Sequence, residues 1–316
     1  MQTWRGLDAV PGDFGPTVVT VGVFDGVHRG HQAIISEVVR RARDLGLPCV
    51  AVTFDPHPIE IVRPGSHPPL LTTPARRAEL LAGYGVDAVL VLPFDEAVAQ
   101  MPAEAFVDRI LVGTLHAAQV VVGANFRFGH KAEGNVGTLT ELGRTRGYEV
   151  DGLGLVGDGR STWSSTYVRG CLAEGDAAAA AAVLGRPHRI DGVVVRGDDR
   201  GKALGYPTAN LGPVRHAALP GDGVYAGRLV HLRDDGATGS DAYVAAISVG
   251  SNPTFEGVSR RVEAYVLDQA DLDLYGAPVG IELVERLRGM EKFASVDELI
   301  AAMDRDVART REILAR

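Results

Sequence analysis

Apolar positions follow two regimes along the chain, and the change near residue 185 is the first sign of two domains. From about residue 17 to 155, short continuous apolar runs rich in β-branched residues alternate with amphipathic stretches. The runs 17–24, 49–54, 87–92, 119–123 and 149–155 predict buried strands, and Ile34, Ile35, Val38, Val39, Ala42 and Leu45 recur at helical spacing between the first two. Pro74 and Pro102 stand where helices start, and Gly113 and Gly147 where they stop. Continuous apolar strands separated by helices imply a mainly parallel sheet covered on both faces. A helix is predicted near Ser164, and an alanine run from Ala177 continues to Gly185, with Pro187 as a stop signal. Beyond it, strand patterns at 189–195, 223–230, 243–249, 260–268 and 279–287 are separated by turns such as Asp234-Asp235-Gly236, without intervening helices. That pattern predicts a small antiparallel sheet or barrel. Ser295 and Glu298 form a capping-box pair before a closing helix with Leu299, Ile300, Met303, Val307 and Leu314 along one stripe.

The 316 residues suffice for about two domains with cores of their own. A composition 46% hydrophobic and 23% charged excludes a mostly disordered chain, and a formal net charge of −8 argues against a basic nucleic-acid binder. No apolar stretch approaches a membrane span, and the first fifteen residues lack a secretory core, so a cytoplasmic protein is expected. Cys49 and Cys171 have neither the number nor the spacing of a zinc site and read as small buried hydrophobes. Lysine occurs only at Lys131, Lys202 and Lys292, so a phosphate site elsewhere must use arginine, histidine, hydroxyls and backbone N–H groups.

After the first predicted strand comes Gly22-Val23-Phe24-Asp25-Gly26-Val27-His28-Arg29-Gly30-His31, leading into the first helix. Two histidines three apart at a helix N-terminus put imidazole donors beside free backbone N–H groups, which makes an anion site. In nucleotidyl transfer such fixed donors stabilise the charge that builds on the α-phosphate and the departing pyrophosphate. The plainer alternative is a pair of surface histidines in a tight turn. Gly152-Leu153-Gly154-Leu155-Val156-Gly157 has dinucleotide-motif spacing, but no helix follows it and it is rejected. Gly197-Asp198-Asp199-Arg200-Gly201-Lys202-Ala203 is one residue too short for a P-loop, and Ala203 lacks the hydroxyl.

The run through Gln32 resembles the adenylyltransferase half of the bacterial bifunctional riboflavin kinase/FAD synthetases. Phe54-Asp55-Pro56-His57-Pro58, Val122-Gly123-Ala124-Asn125-Phe126-Arg127-Phe128-Gly129 and Ser164-Ser165-Thr166-Tyr167-Val168-Arg169 fit the same half. The resemblance implies an α/β nucleotidyltransferase domain with a Rossmann-like parallel sheet over 1–186. It assigns Gly22, Phe24, Asp25, His28, His31, Ser164, Ser165, Thr166 and Arg169 to ATP, and His57 and Asn125 to FMN or nucleotide. Read without it, Ser164-Ser165-Thr166 could be no more than a helix cap.

In the second half, Leu204-Gly205-Tyr206-Pro207-Thr208-Ala209-Asn210-Leu211 resembles the riboflavin kinase motif, with Tyr206 where phenylalanine is more usual. Thr208 and Asn210 offer hard oxygen ligands suited to Mg²⁺. The resemblance extends to Gly223-Val224-Tyr225-Ala226, Gly250-Ser251-Asn252-Pro253-Thr254-Phe255, Val262-Glu263-Ala264-Tyr265 and the segment around Arg288. It implies a small antiparallel β-barrel domain with a C-terminal helix over 187–316. There Gly201, Lys202, Gly205, Thr208 and Asn210 would bind ATP and metal. Asn252, Thr254, Phe255 and Arg288 would bind flavin, and Glu263 would be the catalytic base. An arbitrary glutamate on such a strand would simply face solvent.

Together these imply ATP-dependent phosphorylation of riboflavin to FMN, then adenylylation of FMN to FAD with release of pyrophosphate. Riboflavin, FMN, ATP and Mg²⁺ are the expected partners, with no nucleic acid or membrane and room for an oligomer. The rival readings are a monofunctional nucleotidyltransferase whose barrel only binds flavin, and a flavin sensor or carrier without turnover.

Overall fold

A computed structural model describes residues 1–159, 161–197, 204–214, 216–254, 257–269 and 272–315, the side chains of 252–254 and 257–259 excepted. The chain forms two compact units: Met1–Pro68 with Arg76–Trp163, and Pro69–Ala75 with Ser164–Arg316.

The first unit is built on β1 (Gln2–Arg5), β2 (Thr17–Val21), β3 (Cys49–Asp55), β4 (Ala88–Pro93), β5 (Ala117–Gly123) and β6 (Glu149–Leu153). The strands are all parallel and lie in the order β1-β4-β3-β2-β5-β6. Successive residues face opposite sides of a strand, so each apolar run feeds two cores. Val19, Val21, Val50 and Val52 pack with α5 (Ala103–Phe106) and the π-helical turn Val107–Val112. Val18, Cys49, Ala51 and Val89 pack with α1 (Arg29–Leu45) and α3 (Pro74–Gly83), which enters this unit at Arg76. Short α2 (Pro58–Val62) and α4 (Glu96–Ala99), and α6 (Val136–Arg146), are further α-helices of this unit. On α1, Ile35, Val38, Val39 and Ala42 form the buried stripe that the sequence pattern predicted. Truncating fully buried Ile35 to alanine would cost about 2–5 kcal/mol. Connections leave β2 and β5 in opposite directions, and such a switch point opens a crevice at the carboxyl ends of the strands.

In the second unit β7 (His188–Val195), β8 (Thr208–Leu211), β9 (Gly223–Leu232), β10 (Thr238–Thr254), β11 (Gly257–Val266) and β12 (Pro278–Arg288) close a barrel in the order β10-β11-β8-β7-β12-β9. Every pairing is antiparallel. Closure leaves no sheet edge exposed, and Ile190, Leu229, Ile247, Val262 and Ile281 fill the interior. α7 (Ser165–Ala173) and α8 (Ala177–Leu184) belong to this unit, and Ala177 of α8 joins the barrel core. The segment Pro69–Ala75 is part of it too. Leu70 donates its N–H to the His216 carbonyl at 2.6 Å and accepts from Ala218 N–H at 2.8 Å, and Thr73 Oγ1 donates to Asp191 Oδ2 at 3.2 Å.

The C-terminal helix α9 (Val296–Leu314) is capped by Ser295, whose Oγ accepts from Glu298 N–H at 3.2 Å. The expected reciprocal bond is displaced by one residue, because the Glu298 carboxylate accepts from Ala294 N–H at 3.0 Å. Two short strands, β1 and β8, escaped the sequence pattern, and the first core strand stops at Val21 rather than running to Phe24.

Candidate active sites

The first site grows from the turn between β2 and α1. Phe24 and Val27 take φ of 51° and 39°, left-handed values that are strained for bulky or β-branched residues. Both side chains are buried, at 1% and 0% exposure, so packing beneath the turn holds a backbone that local preference opposes. His28 is the N-cap of α1, with Nδ1 accepting from Gly30 N–H at 3.2 Å. That bond assigns the neutral ring a hydrogen on Nε2, making that nitrogen the donor. A Cβ on Gly30 would lie 3.0 Å from His28 Cε1 and 3.3 Å from the Trp163 carbonyl, so the glycine between the histidines is required by close packing. The His28 and His31 rings stack at 3.7 Å, and the Phe24 ring meets His31 edge-on at 5.3 Å.

His31 is half-buried, and its Nδ1 is sealed from solvent with no partner among the described residues. Burial, helped by the charges of His28 and Arg77, pushes its pKa well below the usual imidazole value. At neutral pH His31 is therefore an uncharged hydrogen-bonding group. Buried Asp25 lies in the same turn, with half-buried Gly22 at its start. His57 follows neighbouring β3 and repeats the capping device, its Nδ1 accepting from Ile59 N–H at 3.2 Å at the start of α2. Exposed Asn125 follows β5 on the other side of β2. Thus His28, His57 and Asn125 all leave the carboxyl ends of three adjacent strands.

Ser164, Ser165, Thr166 and Arg169 lie in the second unit. Ser164 caps α7, its Oγ accepting from Tyr167 N–H at 3.1 Å, and Thr166 is exposed. The Arg169 Nε donates to the Pro69 carbonyl at 2.6 Å, tying α7 to the Pro69–Ala75 segment. The sequence reading missed Arg77, 2% exposed on α3 and a source of charge at His31. Its signal was an arginine four residues before the core position Leu81, on the apolar stripe of its helix.

The second site lies on the outer face of the barrel. Ala209 and Leu211 face inward with Val262, Ala264 and Val266, and the alternation sends Thr208, Asn210, Glu263 and Tyr265 outward. In the register, Asn210 is opposite Glu263, Thr208 is opposite Tyr265, and Ser248 flanks Glu263 on β10. Directly opposed residues have Cβ atoms about 5 Å apart, so the amide and the carboxylate share one patch. Asn210 Nδ2 donates to the Thr208 carbonyl at 3.2 Å and to its Oγ1 at 3.4 Å, leaving Oδ1 unengaged among the described residues. A Cβ on Gly197 would fall 2.4 Å from Asn210 Nδ2, so only glycine admits the amide there. Glu263 is half-buried and makes no hydrogen bond or ion pair among the described residues.

Other expected kinase residues fall differently. Gly205 is exposed with φ 86°, whereas Gly201, Lys202 and Phe255 lie outside the described residues. Asn252 and Thr254 pair through β10 with Ser259 and Gly257, and their side chains also lie outside the description. Arg288 grips Asp306 of α9, with Nε 3.1 Å from both carboxylate oxygens and Nη2 2.9 Å from Oδ2, while its guanidinium stands 5.5 Å over the Phe293 ring. Tyr206 donates its hydroxyl to Asp304 Oδ1 at 2.6 Å, and that bond to a carboxylate, aided by burial, pushes the phenol up to about 12.

No cluster of three His, Cys, Asp or Glu side chains that could hold a metal occurs among the described residues. The neutral oxygens of Thr208 and Asn210 fit Mg²⁺, which commonly relies on substrate phosphates and water for the rest of its shell.

The FAD synthetase family model matches residues 11–167, and the riboflavin kinase model matches 184–314. The bifunctional riboflavin kinase/FMN adenylyltransferase of Escherichia coli K12 is 36% identical over 295 residues, 93% of this chain and 92% of that one. Its namesake in Pseudomonas fluorescens is 37% identical over 316 residues, all of this chain and 98% of that one. This chain belongs to the bifunctional riboflavin kinase/FMN adenylyltransferase family. A crystal structure from Streptococcus pneumoniae, described as a macrolide-efflux protein, shares the fold with a TM-score of 0.87 and 31% identity, covering 98% of this chain and 99% of that one. Among the described residues, no helix of the present protein is long and apolar enough to cross a membrane. The parallel-sheet domain and the closed barrel with its C-terminal helix are the architecture that the family resemblance implied.

Proposed function

We propose that this family member makes both flavin cofactors in the cytoplasm: the barrel phosphorylates riboflavin to FMN, and the α/β domain adenylylates FMN to FAD. The register of Glu263 against Asn210 carries the reading, because an outward carboxylate beside uncharged oxygen ligands is what a kinase barrel needs and a flavin carrier does not. Residues 1–186 serve as the adenylyltransferase domain and 187–316 as the kinase domain, a boundary within three residues of the start of the riboflavin kinase match at 184.

In the kinase step, the ribityl 5′-hydroxyl oxygen of riboflavin attacks the γ-phosphorus of ATP. The bond from that phosphorus to the β-bridging oxygen breaks, ADP leaves, and Glu263 takes the hydroxyl proton. Thr208 and Asn210 hold Mg²⁺, which when bound neutralises phosphate charge. Gly201, Lys202 and Gly205 contact ATP, and Asn252, Thr254, Phe255 and Arg288 contact flavin. Arg288 has to act through, or exchange out of, its pair with Asp306.

In the second step, a phosphate oxygen of FMN attacks the α-phosphorus of another ATP, and pyrophosphate leaves with the oxygen that bridged α and β. His28 donates through Nε2–H, and neutral His31 beside it completes a fixed pair of donors for the charge that develops. Gly22, Phe24 and Asp25 shape the ATP side, His57 and Asn125 meet FMN or nucleotide, and Ser164, Ser165, Thr166 and Arg169 serve the ATP phosphates. No side-chain nucleophile is needed. Cys49 and Cys171 are free and buried, and burial, helped by the Asp87 carboxylate beside it, raises the Cys49 thiol to about 11.

Incubation with riboflavin, ATP and Mg²⁺, followed by chromatography, tests the proposal. FMN and then FAD are expected. FAD from supplied FMN without any FMN from riboflavin would favour the monofunctional alternative, and flavin retention without ATP consumption would favour a carrier.

A further inference from the structure

Arg77 is a buried cation in the first unit, and nothing in the proposed chemistry uses it. Hiding a guanidinium is costly, and an apolar side chain would pack α3 against the sheet at lower cost. Arg77 makes no ion pair among the described residues, and its Nε has no hydrogen-bond partner there. Its satisfied end points to a purpose. Nη1 donates to the Phe54 carbonyl at 3.0 Å and to Thr53 Oγ1 at 3.1 Å, and the Thr53 hydroxyl passes its own hydrogen to the Val23 carbonyl at 2.9 Å.

This relay joins α3, β3 and the turn that carries both histidines. Val23 immediately precedes Phe24, the first residue of that turn with left-handed backbone. Fixing the Val23 carbonyl fixes one end of the strained segment, and His28 as helix cap fixes the other. Thr53, 2% exposed, has its hydroxyl in use on both sides, so the relay excludes water.

We infer that Arg77 is a positioning residue for adenylyl transfer, holding the turn from Gly22 to His31 in its strained form through Thr53. The inference rests on the adenylyltransferase reading of the first unit. The guanidinium charge acts in the same direction, since together with burial it disfavours protonation of His31, and Asp25 and Asp55 supply the opposite charge that lets Arg77 remain buried.

The test uses Thr53→Val, Thr53→Ser, Arg77→Lys and the Arg77→Lys/Thr53→Val pair in the full chain. The kcat and KM for ATP are measured in FAD formation from FMN, with FMN formation from riboflavin measured in the same preparation. Thr53→Val keeps the shape of the side chain and removes only the relay. It should lower kcat for FAD formation about tenfold or more, as misplaced reacting groups do, and leave FMN formation unchanged. KM for ATP should change by less than about twofold, because the loss falls on the transition state. Thr53→Ser should recover most of the rate, and the double variant should be no worse than Arg77→Lys alone. FAD formation unchanged in Thr53→Val and Arg77→Lys would overturn the inference. So would Thr53→Ser as impaired as Thr53→Val, or both activities falling together with the melting temperature. If the unsubstituted protein forms no FAD from FMN, the adenylyltransferase reading fails first and the inference falls with it.

Discussion

The α/β unit and the barrel reach phosphate chemistry by opposite constructions. In the first, the functional groups follow one another along a turn, and their geometry comes from strained backbone, a helix cap and two stacked rings. In the second, Asn210 and Glu263 are distant in sequence and meet only because β8 and β11 pair in one register. A turn can aim several groups with few residues, but it needs support from below. A barrel face needs no strain, but a register slip of one residue would send Glu263 into the interior. The contrast teaches that the rigidity of a site can be local or can belong to the whole sheet.

The largest effects should separate the two constructions cleanly. Glu263→Ala should slow FMN formation by about 10²–10⁴-fold, the usual contribution of a general base, while FAD formation from supplied FMN survives. Equal loss of both activities would erase the division. His28→Ala combined with His31→Ala should slow FAD formation by about 10²–10³-fold, so that FMN accumulates from riboflavin, and unimpaired FAD synthesis would remove the histidines from the mechanism.

Smaller effects sharpen the comparison through stability. Because burial holds His31 neutral, the unfolded chain binds a proton there more readily below its free value near 6.5, and stability is lost as pH falls through and below that value. Thermal melts from about pH 7.5 to about pH 5.5 should therefore show a steeper acid loss in the wild type than in His31→Gln, by up to about 1.4 kcal/mol. Identical slopes would place the imidazole in a solvated setting. In the barrel, Tyr206→Phe removes one hydrogen bond to the exposed carboxylate of Asp304 and should lower stability by about 1 kcal/mol with no comparable pH slope.

The same contrast governs what could be read from residue order. The core strands and α1 were legible because their apolar periods are long, and the histidine turn because its residues are contiguous. β1 escaped because only Trp4 of its four residues is buried, and β8 because its four residues are too few to show a period. The first core strand ends early because Phe24 folds under the turn instead of extending the pleat. Glu263 was found through family resemblance, since no local pattern distinguishes it from a solvent-facing glutamate. Arg77 was missed because its partners Thr53 and Phe54 belong to a distant strand, and its place on the apolar stripe four residues before Leu81 was the sole local sign of its burial. The ring nitrogens of His28 and His57 that cap their helices escaped too, because histidine is not a usual cap.

The segment Pro69–Ala75 makes the polypeptide cross from one unit to the other at three points: after Pro68, after Ala75 and after Trp163. A gene broken once, anywhere downstream of that segment, would leave a piece of the barrel unit on the wrong product. Exchanging the barrel unit between relatives would therefore require moving an internal insert along with a terminus.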